Sequence, residues 1–166
     1  MAPHIRPAQP HDAPAIEAVI VAAFAHAEHT GHNEHLIVQA LQQAGALSVS
    51  LVAQEAGAIV GHIAASPVAL SGGQPHWYGL APLSVLPARQ GAGMGTQLTQ
   101  ALLQALQAMG AAGCVVLGEP GYYGRLGFRA EPTLVLPGVP AHYFQAQAFG
   151  GAVPAGTVAY HAAFGV

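Results

Sequence analysis

Hydrophobic residues recur along this chain at two spacings, every three to four residues in some segments and every second residue in others. The first spacing predicts amphipathic helices, and the second predicts half-buried strands. Helices are expected at residues 16–24, 36–44 and 96–109, the last with glutamines opposite its apolar stripe. Asp12 and Asn33 stand where the N-caps of the first two helices would lie.

The segments with strand spacing alternate with these helices. Strands are expected at residues 5–6, 47–53, 59–66, 77–86, 114–117 and 156–164, and a further one starting at Phe128. A brief helix is expected at 122–126, and the Pro- and Gly-rich stretch 132–140 reads as a loop. No internal repeat or long linker divides the chain, so residues 1–166 are expected to form a single α/β domain.

Charge and composition exclude several classes of partner. The 166 residues contain four arginines, no lysine and seven acids, for a formal charge of −3. Nucleic-acid binding needs clustered cations, so no such partner is expected. No apolar run approaches the roughly 18 residues of a membrane span, and the N-terminus lacks the apolar core of a signal peptide. Because Cys114 is the single cysteine and cannot form an intrachain disulfide, a cytoplasmic protein is expected.

The most informative stretch is Gln90-Gly91-Ala92-Gly93-Met94-Gly95, between the 77–86 strand and the 96–109 helix. Glycines at such a junction leave backbone N–H groups uncovered at the positive end of the helix dipole. The pattern predicts a phosphate-bearing ligand, although a tight turn without a ligand would have the same composition. A Walker loop would end in Gly-Lys-Ser/Thr, and a dinucleotide fingerprint would need glycine where Thr96 stands.

The pattern that remains, Gln-x-x-Gly-x-Gly preceded by Val85 and Pro87, resembles the acetyl-CoA loop of the GCN5-related N-acetyltransferases, the GNAT family. A second segment, Tyr122-Tyr123-Gly124-Arg125-Leu126-Gly127-Phe128, resembles the family's Tyr-x-x-x-Gly-Phe motif after strand five. The wider frames around both motifs resemble one broad bacterial subgroup. The resemblance covers nearly the whole chain. It implies an α/β fold with a mixed, mostly antiparallel sheet of six to seven strands, helices on both faces, and strands four and five splayed apart for CoA.

The resemblance also implies acetyl-CoA as co-substrate, without a metal. In the family the loop amides hold the CoA pyrophosphate, and the pantetheine arm lies along strand four like an added strand. The residues expected to bind acetyl-CoA are Leu83, Ser84, Val85, Leu86, Gln90, Gly91, Ala92, Gly93, Met94, Gly95, Thr96, Tyr122 and Arg125.

Two residues are expected to act in catalysis. Tyr123 lies four residues before Gly127 and matches the tyrosine that protonates the CoA thiolate in the family, although packing against CoA or the core is its alternative role. Glu119, at the end of the fifth strand, is the expected base for the amine proton, and capping the next helix is its alternative role. Since strand four carries no glutamate, His62, His76 and bulk water stay open as alternatives.

The resemblance therefore implies an acetyl-CoA-dependent N-acetyltransferase. It would move the acetyl group to a primary amine of a small molecule, or to an exposed protein amine, by direct attack on the thioester. A non-catalytic acyl-CoA-binding module with the same fold, an O-acyltransferase and a transferase of longer acyl groups stay open as alternatives. The family also favours a homodimer, through the C-terminal strand.

Histidines recur at every third position from His26 through His29 and His32 to His35. Thr30-Gly31 would break a helix here, so the four imidazoles cannot share one face, and a metal site is not expected. The segment is expected either to border the acceptor pocket or to be a solvated polar linker.

Overall fold

The structure is a computed structural model, and it describes residues 3–27 and 31–165. Within these residues the helices are α1 (Ala13–Phe24), α2 (Glu34–Gln43), α3 (Met94–Ala108) and α4 (Pro120–Gly124). The strands are β1 (His4–Pro7), β2 (Val49–Glu55), β3 (Ala58–Pro67), β4 (Ala69–Leu70), β5 (Trp77–Val85), β6 (Gly113–Leu117), β7 (Leu134–Val135), β8 (Phe144–Ala148) and β9 (Gly156–Ala159). A helix of the length and hydropathy needed to span a bilayer is absent from the described ranges.

Six strands form the main sheet, in the order β1-β2-β3-β5-β6-β8. All neighbours in it are antiparallel except β5 and β6, which are parallel. Successive side chains of a strand point to opposite faces. On β2, Val52 packs into the cluster of α1 and α2, and Ala53 packs into the cluster of α3. Helices therefore cover both faces, and the predicted mixed, mostly antiparallel sheet is confirmed.

The parallel strands β5 and β6, the fourth and fifth strands of the prediction, separate soon after they begin. They pair at three positions: Trp77 with Gly113, Tyr78 with Cys114, and Gly79 with Val115. Beyond Gly79, β5 continues to Val85 along β3, whereas β6 continues along β8. The gap between β5 and β6 beyond Gly79, which we call the split, is the predicted splay of the sheet.

Helix α3 packs on the face of the sheet that carries Ala53. Leu98, Leu102 and Leu106 recur at four-residue intervals and are fully buried, as the apolar stripe predicted. Met109, predicted as the last residue of that stripe, lies beyond the end of α3, and 50% of its surface is exposed.

The start of α1 differs from the predicted capping arrangement. Asp12 holds the N-cap position, but its carboxylate makes no capping bond to α1. Instead Asp12 accepts two hydrogen bonds from Arg6, at 2.8 and 3.0 Å, and one from the Gln9 amide at 2.7 Å. The Arg6 guanidinium holds the pKa of Asp12 far below its usual value. The carboxylate therefore joins β1 to the turn before α1.

A second, smaller sheet of order β4-β9-β7 was not predicted. Its Leu70, Leu134 and Val158 pack with Trp77 and Val115 of the main sheet. Because β9 lies between two partners, the C-terminal strand has no free edge through which a second subunit could extend the sheet.

The prediction of a strand starting at Phe128 is wrong. The Phe128 amide donates to the Tyr123 carbonyl at the end of α4, and in this segment only Arg129 pairs, as an isolated bridge to Ala146. The predicted strand 156–164 is also too long. Strand β9 stops at Ala159, and a 3-10 turn follows.

Candidate active site

The glycine-rich loop connects the end of β5 to α3 through a 3-10 turn at Pro87–Arg89. Gly91 and Gly93 have φ angles of +82° and +85°, a left-handed conformation that glycine adopts without strain. Gly93 is the N-cap of α3 and offers no side chain to its first turn. Since the first N–H groups of a helix lack intrahelical acceptors, they remain available to an anion. Residues 90–93 are exposed, whereas the Met94 side chain is buried and can contribute only its backbone.

The edge of β5 that faces the split is identified by two hydrogen bonds. The Leu86 amide donates to the Val60 carbonyl of β3 at 2.9 Å, so this amide is already engaged. The Val85 carbonyl accepts from Gln90 Nε2 at 3.0 Å. Backbone groups of successive strand residues point in opposite directions within the sheet. The backbone groups of Leu83 and Val85 therefore face the split, and those of Ser84 face β3.

Tyr122 brings α4 against the start of α3. Its hydroxyl lies 3.4 Å from Thr96 Oγ1, which donates to it. The same hydroxyl lies 2.8 Å from the position that a Cβ at Gly95 would occupy. Three residues predicted to bind the cofactor are therefore neighbours, although they come from both motifs.

Tyr123 is held from several sides. Its ring meets the rings of Tyr122 and Phe128 edge to face, with centroids 4.9 and 5.7 Å away. A Cβ at Gly118 would lie 2.5 Å from Tyr123 Cε2, so only glycine permits this approach. Burial raises the pKa of Tyr123 to about 12, with smaller contributions from Tyr122 and Cys114. The phenol is therefore protonated at neutral pH and can donate a proton.

The remaining predicted site residues are exposed. Glu119 holds the N-cap position of α4 without a capping bond from its carboxylate, which leaves that side chain in solvent. Arg125 Nε donates to the Gly121 carbonyl at 3.3 Å, so the guanidinium lies along α4. Arg89, which lies beside the loop but is not among those predicted residues, forms an ion pair with Glu55 at 2.6 Å.

The two histidines that were alternatives for the base lie in different environments. His62 is fully buried on β3 directly opposite Ser84, and its Nε2 is 2.9 Å from Ser50 Oγ. Burial lowers the pKa of His62 to about 4, so its ring is neutral at neutral pH. His76 is exposed and immediately precedes β5, at the opposite end of that strand from the glycine-rich loop.

Comparison with known families connects this geometry to a class of enzyme. The family described as an acetyltransferase (GNAT) domain matches residues 46–130, which include the split, the glycine-rich loop and both tyrosines. The chain belongs to the GNAT acetyltransferases.

Relatives and solved structures agree with this assignment. The uncharacterised N-acetyltransferase YhbS of Escherichia coli K12 is 37% identical over 125 residues, which cover 75% of this chain and 72% of that protein. A GNAT acetyltransferase from Brucella melitensis, solved in complex with acetyl-CoA, is 49% identical with a TM-score of 0.88, covering 98% of this chain and 97% of that chain. YhbS from Escherichia coli, solved with CoA, is 32% identical with a TM-score of 0.87, covering 100% and 93%.

The histidine-rich segment of this GNAT chain lies only partly within the described residues. His29 lies outside the described residues, and among the described ones no group of three potential ligands could hold a metal ion. His35 lines a cleft of about 660 Å³ between α1 and α2, together with Glu17 and Ser50.

Two residues near the split were not predicted to act in the site. Gly118 fixes the Tyr123 ring, and its position four residues before the second motif was the signal that could have identified it. Tyr160 lies against Gly79 where the split begins. No local signal in the sequence connects Tyr160 with Gly79. The two residues meet only because the smaller sheet packs on β5.

Proposed function

We propose that this protein transfers the acetyl group of acetyl-CoA to a primary amine, either on a small molecule or exposed on a protein. The observation that carries the proposal is the split, which ends at a glycine-rich loop whose helical amides are available to an anion. The two close structural relatives solved with acetyl-CoA or CoA support this choice of co-substrate.

The described residues fit CoA at both ends of the split. The amides from Gly91 to Thr96 would hold the pyrophosphate at the N-terminus of α3. The backbone groups of Leu83 and Val85 would bond the pantetheine arm along β5, with the Gln90 amide already on the Val85 carbonyl. When bound, acetyl-CoA supplies an activated thioester carbonyl. The protein supplies orientation and proton transfer.

Tyr123 is the residue that we assign to protonation of the departing thiolate. A thiolate of ordinary basicity has a pKa of roughly 8.5. Because burial keeps the Tyr123 phenol protonated, it can deliver a proton throughout the neutral and mildly alkaline range. Its fixed orientation against Gly118 and Phe128 supports the role.

Glu119 is the residue that we assign to the amine proton. An attacking amine must be neutral, although an alkyl ammonium has a pKa of about 10. The exposed Glu119 lies two residues beyond the C-terminal end of β6, one of the two strands that border the split. His62 is a weaker candidate, since its ring is completely buried and its Nε2 is engaged with Ser50.

The test begins with calorimetric titration of the protein with acetyl-CoA, CoA and NAD. Micromolar binding of acetyl-CoA and CoA but not NAD supports a CoA site at the split and the glycine-rich loop. Binding of none of them refutes such a site. Release of free CoA is then followed with a panel of primary amines and matched alcohols. Amine-dependent release supports the proposal, and binding without release identifies an acyl-CoA-binding module instead.

We also infer that the whole chain forms one acetyltransferase domain and that it acts in the cytoplasm. The buried thiol of Cys114 is consistent with a reducing compartment. A homodimer stays a prediction, to be tested by sedimentation equilibrium. An interface through β9 would have to use its faces, because both its edges are paired.

A further inference from the structure

Tyr160 lies at the point where the split begins. It follows β9, and its ring packs on Gly79, the last residue of β5 that pairs with β6. Tyr160 Cζ, the carbon that bears the hydroxyl, lies 3.2 Å from the position that a Cβ at residue 79 would occupy. Any side chain at this position would collide with the ring. Glycine at position 79 therefore allows the tyrosine to pack where the split begins.

Tyr160 and Tyr123 approach the split from opposite faces of the sheet. Tyr160 packs against the cluster of Trp77 and Val115, on the side of the smaller sheet. Tyr123 packs against the cluster of α3. Burial raises the pKa of Tyr160, with smaller contributions from Cys114 and Tyr123.

Contacts of the ring, and not of the hydroxyl, hold Tyr160 in the described structure. The ring is fixed by Gly79 and by an edge-to-face contact with Phe164, with centroids 5.2 Å apart. The hydroxyl oxygen is buried and has no hydrogen-bond partner among the described residues. An unpaired buried hydroxyl destabilises a protein. A phenylalanine would keep both ring contacts without that cost, so the hydroxyl is not explained by folding.

We propose that the Tyr160 hydroxyl contacts the acyl group in the split, donating a hydrogen bond to the thioester carbonyl oxygen from the sheet face opposite Tyr123. This contact rests on the proposed function. A donor there would polarise the carbonyl and stabilise the negative charge that develops on its oxygen when the amine attacks. Free CoA has no such carbonyl, so the contact would favour acetyl-CoA over CoA.

The experiment compares the full-length wild type with Tyr160→Phe by calorimetry. The probes are acetyl-CoA, CoA and S-ethyl-CoA, a thioether of the same length without the carbonyl. We expect the variant to bind acetyl-CoA about 3- to 10-fold more weakly, the range for one neutral hydrogen bond. Its affinities for CoA and S-ethyl-CoA should be unchanged. Its Tm should be unchanged or higher, because the variant removes only an unpaired hydroxyl.

Several results would overturn the proposal. Unchanged affinity for acetyl-CoA makes Tyr160 a packing residue. An equal loss for all three probes, or a loss accompanied by a lower Tm, makes its hydroxyl structural. A wild type that binds none of the probes would refute the proposed function itself. Tight wild-type binding with an unaltered variant refutes the Tyr160 contact alone.

Discussion

Thr96 Oγ1 donates a hydrogen bond to the Tyr122 hydroxyl over 3.4 Å, and this bond joins the first turn of α3 to α4. The two residues come from separate motifs, on opposite sides of the split. The amides that would hold the CoA phosphates therefore depend in part on a tyrosine 26 residues further along the chain.

A Tyr122→Phe variant tests this link. We expect affinity for acetyl-CoA and CoA to fall about 2- to 5-fold, because the first turn of α3 loses one anchoring bond of modest strength. The turnover number should change less than the affinity, since Tyr122 is assigned no proton transfer. Calorimetry and steady-state kinetics measure the two quantities. A large fall in turnover with intact binding would contradict this assignment.

A Tyr123→Phe variant should show the reverse pattern. We expect turnover to fall about 100-fold, at the low end for loss of a general acid, because the thiolate is only weakly basic. Affinity for acetyl-CoA should change by less than about twofold. The pKa of about 12 keeps Tyr123 protonated as pH rises from 7 to 10, so wild-type turnover should not decline over that range. Equal losses in turnover and affinity would make Tyr123 a binding residue.

Gly118→Ala tests the position of Tyr123 without removing its hydroxyl. The new Cβ would lie 2.5 Å from the Tyr123 ring, which must move. We expect turnover to fall at least about 10-fold, as a misplaced catalytic group predicts. Gly121→Ala is the matched control, since a Cβ there meets no atom within 4 Å. If both variants have wild-type turnover, the orientation of Tyr123 is not important for catalysis.

Much of this architecture could be predicted from local sequence patterns. The periodicity of Leu98, Leu102 and Leu106 defined α3, and the glycines before it placed the loop, because both signals depend on neighbouring residues. Strand β8 was not predicted, although apolar and polar residues alternate in Phe144-Gln145-Ala146. All three side chains are buried, so the alternation does not mark one buried and one exposed face. Gln145 tolerates burial because its Nε2 donates to the Gly118 carbonyl at 3.1 Å.

The parts of the site that could not be predicted depend on contacts distant in sequence. Tyr160 meets Gly79 only because β9 packs beside β4 after a long excursion of the chain. Phenylalanine is common in strands, but the Phe128 amide donates a hydrogen bond to the Tyr123 carbonyl at the end of α4. Pairing partners and packing of this kind are set by tertiary structure, which overrides local propensity.

The buried imidazole of His62 should make stability fall on mild acidification. In the unfolded chain the His62 imidazole becomes protonated below its ordinary pKa of 6.5, whereas in the folded protein its pKa is about 4. The unfolded state then binds more protons, so the free energy of unfolding decreases between these values, by about 3 kcal/mol in total. In His62→Gln this decrease should be smaller, and above pH 7 the two curves should run parallel. Urea titrations at a series of pH values measure it, and identical slopes in both proteins would contradict the burial effect.

Gly93→Glu should abolish binding of acetyl-CoA, because it places bulk and negative charge beside the amides of α3. We expect a loss of at least about 100-fold, more than one electrostatic contact contributes. The variant also carries a backbone cost, since Gly93 has a φ of +85°. Gly110→Glu is the matched control: its φ is +83°, a Cβ there also meets nothing within 4 Å, and it lies beyond the other end of α3. Calorimetry should show binding retained by Gly110→Glu at a similar loss of Tm. If Gly93→Glu binds acetyl-CoA as well as this control does, the phosphates do not lie at the glycine-rich loop.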